Sequence, residues 1–188
     1  MSSKHKCIIV NLFGVPSSGK STGAAYIFSK LKMAGINAEL VTEFVKELVW
    51  EDSKILRNPN NQIYIFSNQF YALNRCKDSV DVIVSDSPLP LAILYNHSDI
   101  LGERLNDIIM DCFNSFDNVS FLLLRDKPYQ SAGRLQTEEE SDSLYEPLKY
   151  LLKTNNIEYV ELPGNEESYD KIVELVLEKV NDSKRICE

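Results

Sequence analysis

The chain has 188 residues, of which 44% are hydrophobic and 26% charged, with a net charge of −8. That length suits one domain, and the composition excludes disordered, collagen-like and disulfide-scaffold classes. With 28 acidic against 20 basic residues, the chain is also a poor fit to a protein that holds nucleic acid mainly by neutralising phosphates. The charge is uneven: residues 1–60 carry 8 Lys+Arg against 5 Asp+Glu, and residues 61–188 carry 12 against 23, so a polyanion site is expected near the N-terminal third. Cys7, Cys76, Cys112 and Cys187 are far apart and lack zinc-finger spacing, which reads as reduced thiols in a cytoplasmic protein. The apolar segment after Lys4 and Lys6 has no small-residue cleavage site, and the longest apolar runs are too short for a bilayer, so no membrane association is expected.

Five short apolar runs alternate with segments of helical period, a pattern that predicts an α/β fold with a five-stranded, mostly parallel sheet covered on both faces, as a single domain over 1–188. The first strand is expected at about 6–13. A helix follows Gly19, with Ala24, Ile27, Phe28, Leu31 and Ala34 on its apolar stripe and Gly35 as its stop. Strands are expected at 38–42 and 81–86, with a helix over 61–77 between them. A further helix over 101–116 puts Leu101, Leu105, Ile108, Ile109, Cys112 and Phe116 on one face. After a strand at 118–125, the polar stretch 126–143 reads as a lid segment, with Thr137-Glu-Glu-Glu140 as a capping box. Pro147 interrupts or restarts that helix. A last strand at 157–162 precedes a helix bearing Ile172, Val173, Val176 and Val180.

Between the first strand and first helix, Gly14-Val15-Pro16-Ser17-Ser18-Gly19-Lys20-Ser21 matches G-x-x-x-x-G-K-[ST] at every fixed position, followed by Thr22. Glycines let the backbone curl with its N–H groups inward around phosphate oxygens, and the helix N-terminus adds partial positive charge. Lys20 is expected at the β/γ-phosphates of a nucleotide and Ser21 on Mg²⁺. Asp86 ends the third strand, at the edge where open α/β sheets bind ligands; it either holds Mg²⁺ or caps the next element. Glu43 ends the second strand on the same edge. It either orients and deprotonates an attacking hydroxyl or is a first-turn helix carboxylate.

On the helix over 61–77, Gln62, Gln69 and Arg75 stand among Tyr64, Phe66, Phe70 and Tyr71. Stacking and amide recognition of a planar acceptor is one reading; a core stripe with Gln and Arg toward water is the other. Arg125 ends the fourth strand and Arg134 lies in the lid, where arginines can stabilise charge on a transferring phosphoryl group. His5 and His97 read as surface residues, and Trp50 carries no signal.

With these pieces, including Asp86-Ser-Pro and Gly133-Arg134-Leu-Gln136-Thr-Glu-Glu, the chain resembles the small P-loop kinases. More narrowly it is similar to a phage and bacterial group that includes nicotinamide riboside kinase domains and phage 5-hydroxymethyluridine DNA kinases. The resemblance implies a three-layer P-loop fold and transfer of the ATP γ-phosphoryl group to a hydroxyl. Lys20 and Ser21–Mg²⁺ would serve the donor, Glu43 or Asp86 would orient the acceptor, and Arg125 and Arg134 would close over the phosphates. In the DNA-modifying members the acceptor is the 5-hydroxymethyl group of a modified pyrimidine, a step in thymidine hypermodification in the cytoplasm of the infected host. A chain of net charge −8 would then need a local basic patch, for which Lys46, Lys54 and Arg57 are available. Two other expectations stand beside it: a kinase of a free nucleoside, nucleoside monophosphate or nicotinamide riboside, and an ATPase or switch with no acceptor. The oligomeric state is open.

Overall fold

The computed structural model describes residues 6–131 and 136–187. Five strands, β1 (Ile8–Phe13), β2 (Ala38–Val41), β3 (Val82–Ser85), β4 (Asp117–Leu124) and β5 (Val160–Pro163), form one sheet in the order β2-β3-β1-β4-β5. Every pairing is parallel, so the described sheet is wholly and not merely mostly parallel. β1 is central, and all six of its residues are buried, as a strand covered on both faces requires.

Alternation along β1 divides the core in two. Ile8, Val10 and Leu12 pack with α1 (Lys20–Met33) and α8 (Glu166–Cys187) through Ala24, Ile27, Leu31, Ile172, Val176 and Val180. Ile9 and Phe13 face the opposite layer, built from α3 (Gln62–Asn74), α5 (Glu103–Asn114) and α7 (Tyr145–Thr154). Asn11 is 1% exposed and donates to Asn118 Oδ1 at 2.9 Å, so the one polar residue of β1 is satisfied across the β1–β4 seam.

Two connections carry short elements that the hydrophobic period did not reveal: α2 (Phe44–Trp50) and two 3-10 turns at Lys54–Arg57 and Pro59–Asn61 between β2 and α3, and α4 (Leu91–Leu94) between β3 and α5. Each is too short to show a period of its own. The predicted helices over 61–77 and 101–116 are trimmed to α3 and α5, and Ile108 stands 48% exposed and not on the core face. The capping box is present in full: Glu140 N–H donates to Thr137 Oγ1 at 3.2 Å, Thr137 N–H donates to Glu140 Oε2 at 2.8 Å, and α6 (Glu138–Ser143) follows. Pro147 falls in the first turn of α7, where its missing N–H costs nothing.

Register sets the functional edge. Asn11 pairs with Ser85 and Val41 also pairs with Ser85, so the chain leaving β1, β2 and β3 emerges together. Gly14, Glu43 and Asp86, widely separated in sequence, are thereby gathered at the carboxyl end of the sheet.

Candidate active site

The loop Gly14–Ser21 joins β1 to α1 and is held by its surroundings. Gly14 has φ 151°, Ser17 φ 68° and Gly19 φ 94°, and the two glycines take backbone shapes that L side chains resist. A Cβ at Gly14 would strike the Ser18 side chain and the Leu123 carbonyl, and one at Gly19 would strike the Tyr169 hydroxyl. Lys20 Nζ donates to the carbonyls of Gly14 at 2.7 Å and Val15 at 3.0 Å, which folds the lysine back over the loop. Gly14, Val15, Pro16, Ser17, Gly19, Lys20, Ser21 and Thr22 all line a cavity of about 390 Å³, whereas Ser18 is buried beneath it.

Two residues absent from the sequence reading clamp this loop from behind. Tyr169, 2% exposed on α8, donates its hydroxyl to the Gly19 carbonyl at 3.0 Å and lays its ring against Gly23. Burial, with the negative charge of Asp126, raises the Tyr169 pKa and keeps that donor protonated. Gly164, at the end of β5, lies so close that a Cβ there would overlap the Ser18 carbonyl. A glycine ending the last strand on the ligand edge was the available signal.

Asp86 follows β3 directly and is 2% exposed, and its Oδ1 is buried without a hydrogen-bond partner. Asp86 and Ser21 share the lining of a second cavity of about 270 Å³ with Thr42, Glu43, Lys46, Glu47 and Trp50. A buried carboxylate oxygen with no hydrogen-bond donor, on the same cavity wall as a serine at the start of α1, is the kind of oxygen set that a Mg²⁺ ion takes, completed by phosphate and water oxygens. Ser21 and Asp86 therefore fit a divalent cation.

Glu43 is not a strand residue. β2 stops at Val41, and Glu43 occupies the N-cap position of α2 with no side-chain cap hydrogen bond. It lines both cavities. The turn around it is fastened by Gln69, 6% exposed on α3: Gln69 Oε1 accepts from the Phe44 N–H at 3.0 Å, and Nε2 donates to the Thr42 carbonyl at 3.3 Å. One amide brackets Glu43 from both sides, so Gln69 reaches the cavity with its strongest bonds spent on the backbone.

The large cavity continues away from the phosphate loop between α3, the two 3-10 turns and α4, past Gln62, Ile65, Phe66, Leu91, Ala92 and Tyr95. Burial, with the negative charge of Glu43, pushes the Tyr95 pKa from its ordinary 10 to about 12, so the phenol is a hydrogen-bond donor throughout the physiological range. Nothing in the sequence marked Tyr95. His97, read as a surface residue, is exposed but borders the cavity. Arg75 is not brought here: it is exposed at the far end of α3 and does not line the cavity, because one helix turn too many separates it from the Gln62–Gln69 face. Arg134 lies outside the described residues.

Arg125, just after β4, has its side chain 14% exposed and its charge already matched. Nη1 meets Asp142 at 2.7 Å and Glu138 at 3.5 Å. Nη2 donates to Ser141 Oγ at 2.6 Å and to the Pro16 carbonyl at 3.2 Å, while Ser141 Oγ donates to the same carbonyl at 2.9 Å. The guanidinium carbon sits 5.2 Å from the centre of the Tyr129 ring. Arg125 thus ties the phosphate loop to acidic α6, and α6 leads to Leu144 and Leu148 at the wall of the large cavity. Within the predicted lid, Gln130 N–H also donates to Ser17 Oγ at 3.1 Å.

The model of the AAA domain family matches residues 9–169. No curated protein sequence matches the chain. Among solved structures, a thymidylate kinase from Candida albicans is similar at 15% identity, over 95% of this chain and 93% of that one, with a TM-score of 0.60. A deoxyadenosine kinase from M. mycoides, solved with bound dATP, is similar at 20% identity, over 92% of this chain and 99% of that one, with a TM-score of 0.53. At these identities the likeness is one of fold: a parallel sheet covered by helices on both faces. No described helix is long and apolar enough to cross a membrane.

Proposed function

The chain belongs to the AAA domain family, and on that premise we propose that it is an ATP-dependent phosphotransferase that moves the γ-phosphoryl group to the hydroxyl of a nucleoside-type acceptor. The observation that carries this reading is a single cavity of about 390 Å³ lined at one end by Lys20 and Ser21 and at the other by Glu43, Gln62, Phe66 and Tyr95. A pure switch needs the first end only. Two fold neighbours named as kinases of a nucleotide and of a nucleoside support it.

In this reading the backbone N–H groups of 14–22 and Lys20 bind the triphosphate. Ser21 and Asp86 hold Mg²⁺, which would offset charge on the phosphate oxygens. Glu43 accepts the proton of the acceptor hydroxyl as its oxygen bonds to the γ-phosphorus and the bond to the ADP oxygen breaks. Tyr95, kept protonated, donates a hydrogen bond beside Glu43. Arg125 holds the loop through Pro16, and charge stabilisation at the phosphates is the role assigned to Arg134.

Two acceptors follow. The resemblance to the DNA-modifying kinases points to the 5-hydroxymethyl group of 5-hydroxymethyl-deoxyuridine in phage DNA. A free nucleoside, nucleoside monophosphate or nicotinamide riboside is favoured by the walled cavity and the net charge of −8. The experiment is γ-labelled ATP with Mg²⁺, offered DNA containing 5-hydroxymethyluracil, ordinary DNA, the free modified nucleoside, its monophosphate, common nucleosides and nicotinamide riboside. Label in the modified DNA alone selects the first acceptor, and affinity should then fall steeply with salt. Label in a free compound selects the second, and label only in inorganic phosphate overturns the kinase reading.

A further inference from the structure

Two glutamines of α3 border the same cavity, and their amides are used differently. Gln62, Phe66, Gln69 and Leu73 form the buried stripe of the helix. Gln69 has one end on the Phe44 N–H and the other on the Thr42 carbonyl. Gln62 is 7% exposed, and its Nε2 donates to the Ala92 carbonyl at 3.0 Å. A carbonyl only accepts, so this bond fixes which end of the amide is nitrogen. Oε1 is left as the end without a hydrogen bond among the described residues, on a side chain that lines the cavity. That oxygen is open to the cavity, where a ligand or water supplies its donor.

We infer that Gln62 is the specificity-determining residue of the acceptor site: its Oε1 accepts from a ring-edge N–H of a planar, uncharged heterocycle lying along Phe66, while Gln69 is a positioning residue that holds Glu43. The ligand class is a nucleobase that presents an N–H donor, either a ring imide or an exocyclic amine. Ile65, Phe66, Leu91 and Ala92 supply the apolar walls such a ring needs, and the bond to Ala92 holds the Gln62 amide in one orientation before the ligand arrives. This rests on the proposed acceptor site but not on the transfer step.

The test pairs each nucleoside with a counterpart lacking the edge donor: deoxyadenosine with purine deoxyriboside, deoxycytidine with 2-pyrimidinone deoxyriboside, and thymidine with N3-methylthymidine. Binding is measured by calorimetry and transfer by kcat/KM, for the wild type, Gln62→Leu, Gln62→Met and Gln69→Leu, each checked for folding by circular dichroism. In the wild type at least one pair should differ by about tenfold or more, the cost of an unmatched buried acceptor. In Gln62→Leu that ratio should collapse to within about threefold. Gln69→Leu should keep the ratio and lower kcat, because only Glu43 is displaced. A ratio that survives Gln62→Leu, or is lost instead in Gln69→Leu, overturns the inference while leaving phosphotransfer intact. Nucleobase discrimination in binding without any transfer would overturn the kinase reading and leave Gln62 standing; absence of both binding and transfer overturns the two together. Should Gln62→Leu fail to fold, Gln62→Met, of similar length but without the amide oxygen, should show the same collapse, and a ratio that survives it overturns the inference.

Discussion

The two ends of the large cavity are built in opposite ways. The phosphate end is one continuous segment, residues 14–22, whose backbone provides the binding groups and whose shape is imposed by positive-φ glycines. The acceptor end draws Glu43, Gln62, Phe66, Gln69 and Tyr95 from two connections and one helix, and its geometry depends on side-chain bonds such as Gln69 to Phe44 and Gln62 to Ala92. A local site resists distant change but has no tolerance for an added atom. A dispersed site can be retuned one residue at a time.

Several substitutions would break or sharpen that contrast. The largest effect is expected from Lys20→Ala, which should lower phosphotransfer by about a hundredfold to a thousandfold with the circular dichroism spectrum retained. Unchanged acceptor phosphorylation would refute the assignment of the donor end.

Asp86→Asn should come next. Removing the buried charge should raise the Mg²⁺ concentration for half-maximal activity by about tenfold to a hundredfold while the melting temperature holds or rises, because Oδ1 has no protein donor to lose. A marked fall in stability would instead make Asp86 a structural cap.

Arg125→Ala should destabilise the fold by about 3 kcal/mol in urea titrations, since Asp142 loses its cation and Ser141 and the Pro16 carbonyl each lose one of two bonds. Arg125→Lys should recover little of this, as one ammonium cannot span those directions. If Arg125→Ala lowers kcat with stability unchanged, the arginine serves phosphate and not the loop.

The smallest effect is a pH dependence of stability. Tyr95 is shifted from 10 to about 12 by burial and by Glu43, and Cys7 from 9.0 to about 12, chiefly by burial. Both groups ionise more readily in the unfolded chain, so their neutral forms stabilise the fold below those ordinary values, and stability is lost as pH rises through the window from 9 to 12. A two-unit shift corresponds to on the order of 2–3 kcal/mol. Tyr95→Phe should flatten the upper part of that decline, as followed by melting temperature against pH.

Much of this was legible in the residues alone. Strand β1 and the loop after it combine an apolar β-branched run with glycines at fixed offsets, and both signals are local. The capping box at Thr137 and the stop at Gly35 were legible for the same reason, because a cap is satisfied within four residues. Glu43 was visible as an acid on the right edge, with a strand end and a first helical turn both open to it; β2 lacks a stop residue and α2 is too short to show a period, so only the fold placed it at the N-cap. Arg125 was visible as a cation, yet its partners lie 13 and 17 residues further on in a helix that had to dock first.

What the sequence by itself determined is therefore an α/β chain with a glycine loop of G-x-x-x-x-G-K-S pattern between β1 and α1, because strand period, helix period and glycine backbone freedom act over a few residues. The tertiary structure alone decided the rest. Parallel register brought Gly14, Glu43 and Asp86 to one edge, Tyr169 and Gly164 were folded behind the loop, and Tyr95 was half-buried within the field of Glu43. It also assigned the two glutamines different tasks. An amide has the same composition wherever it stands, and only the carbonyls and N–H groups that packing sets around it determine which end remains for a ligand.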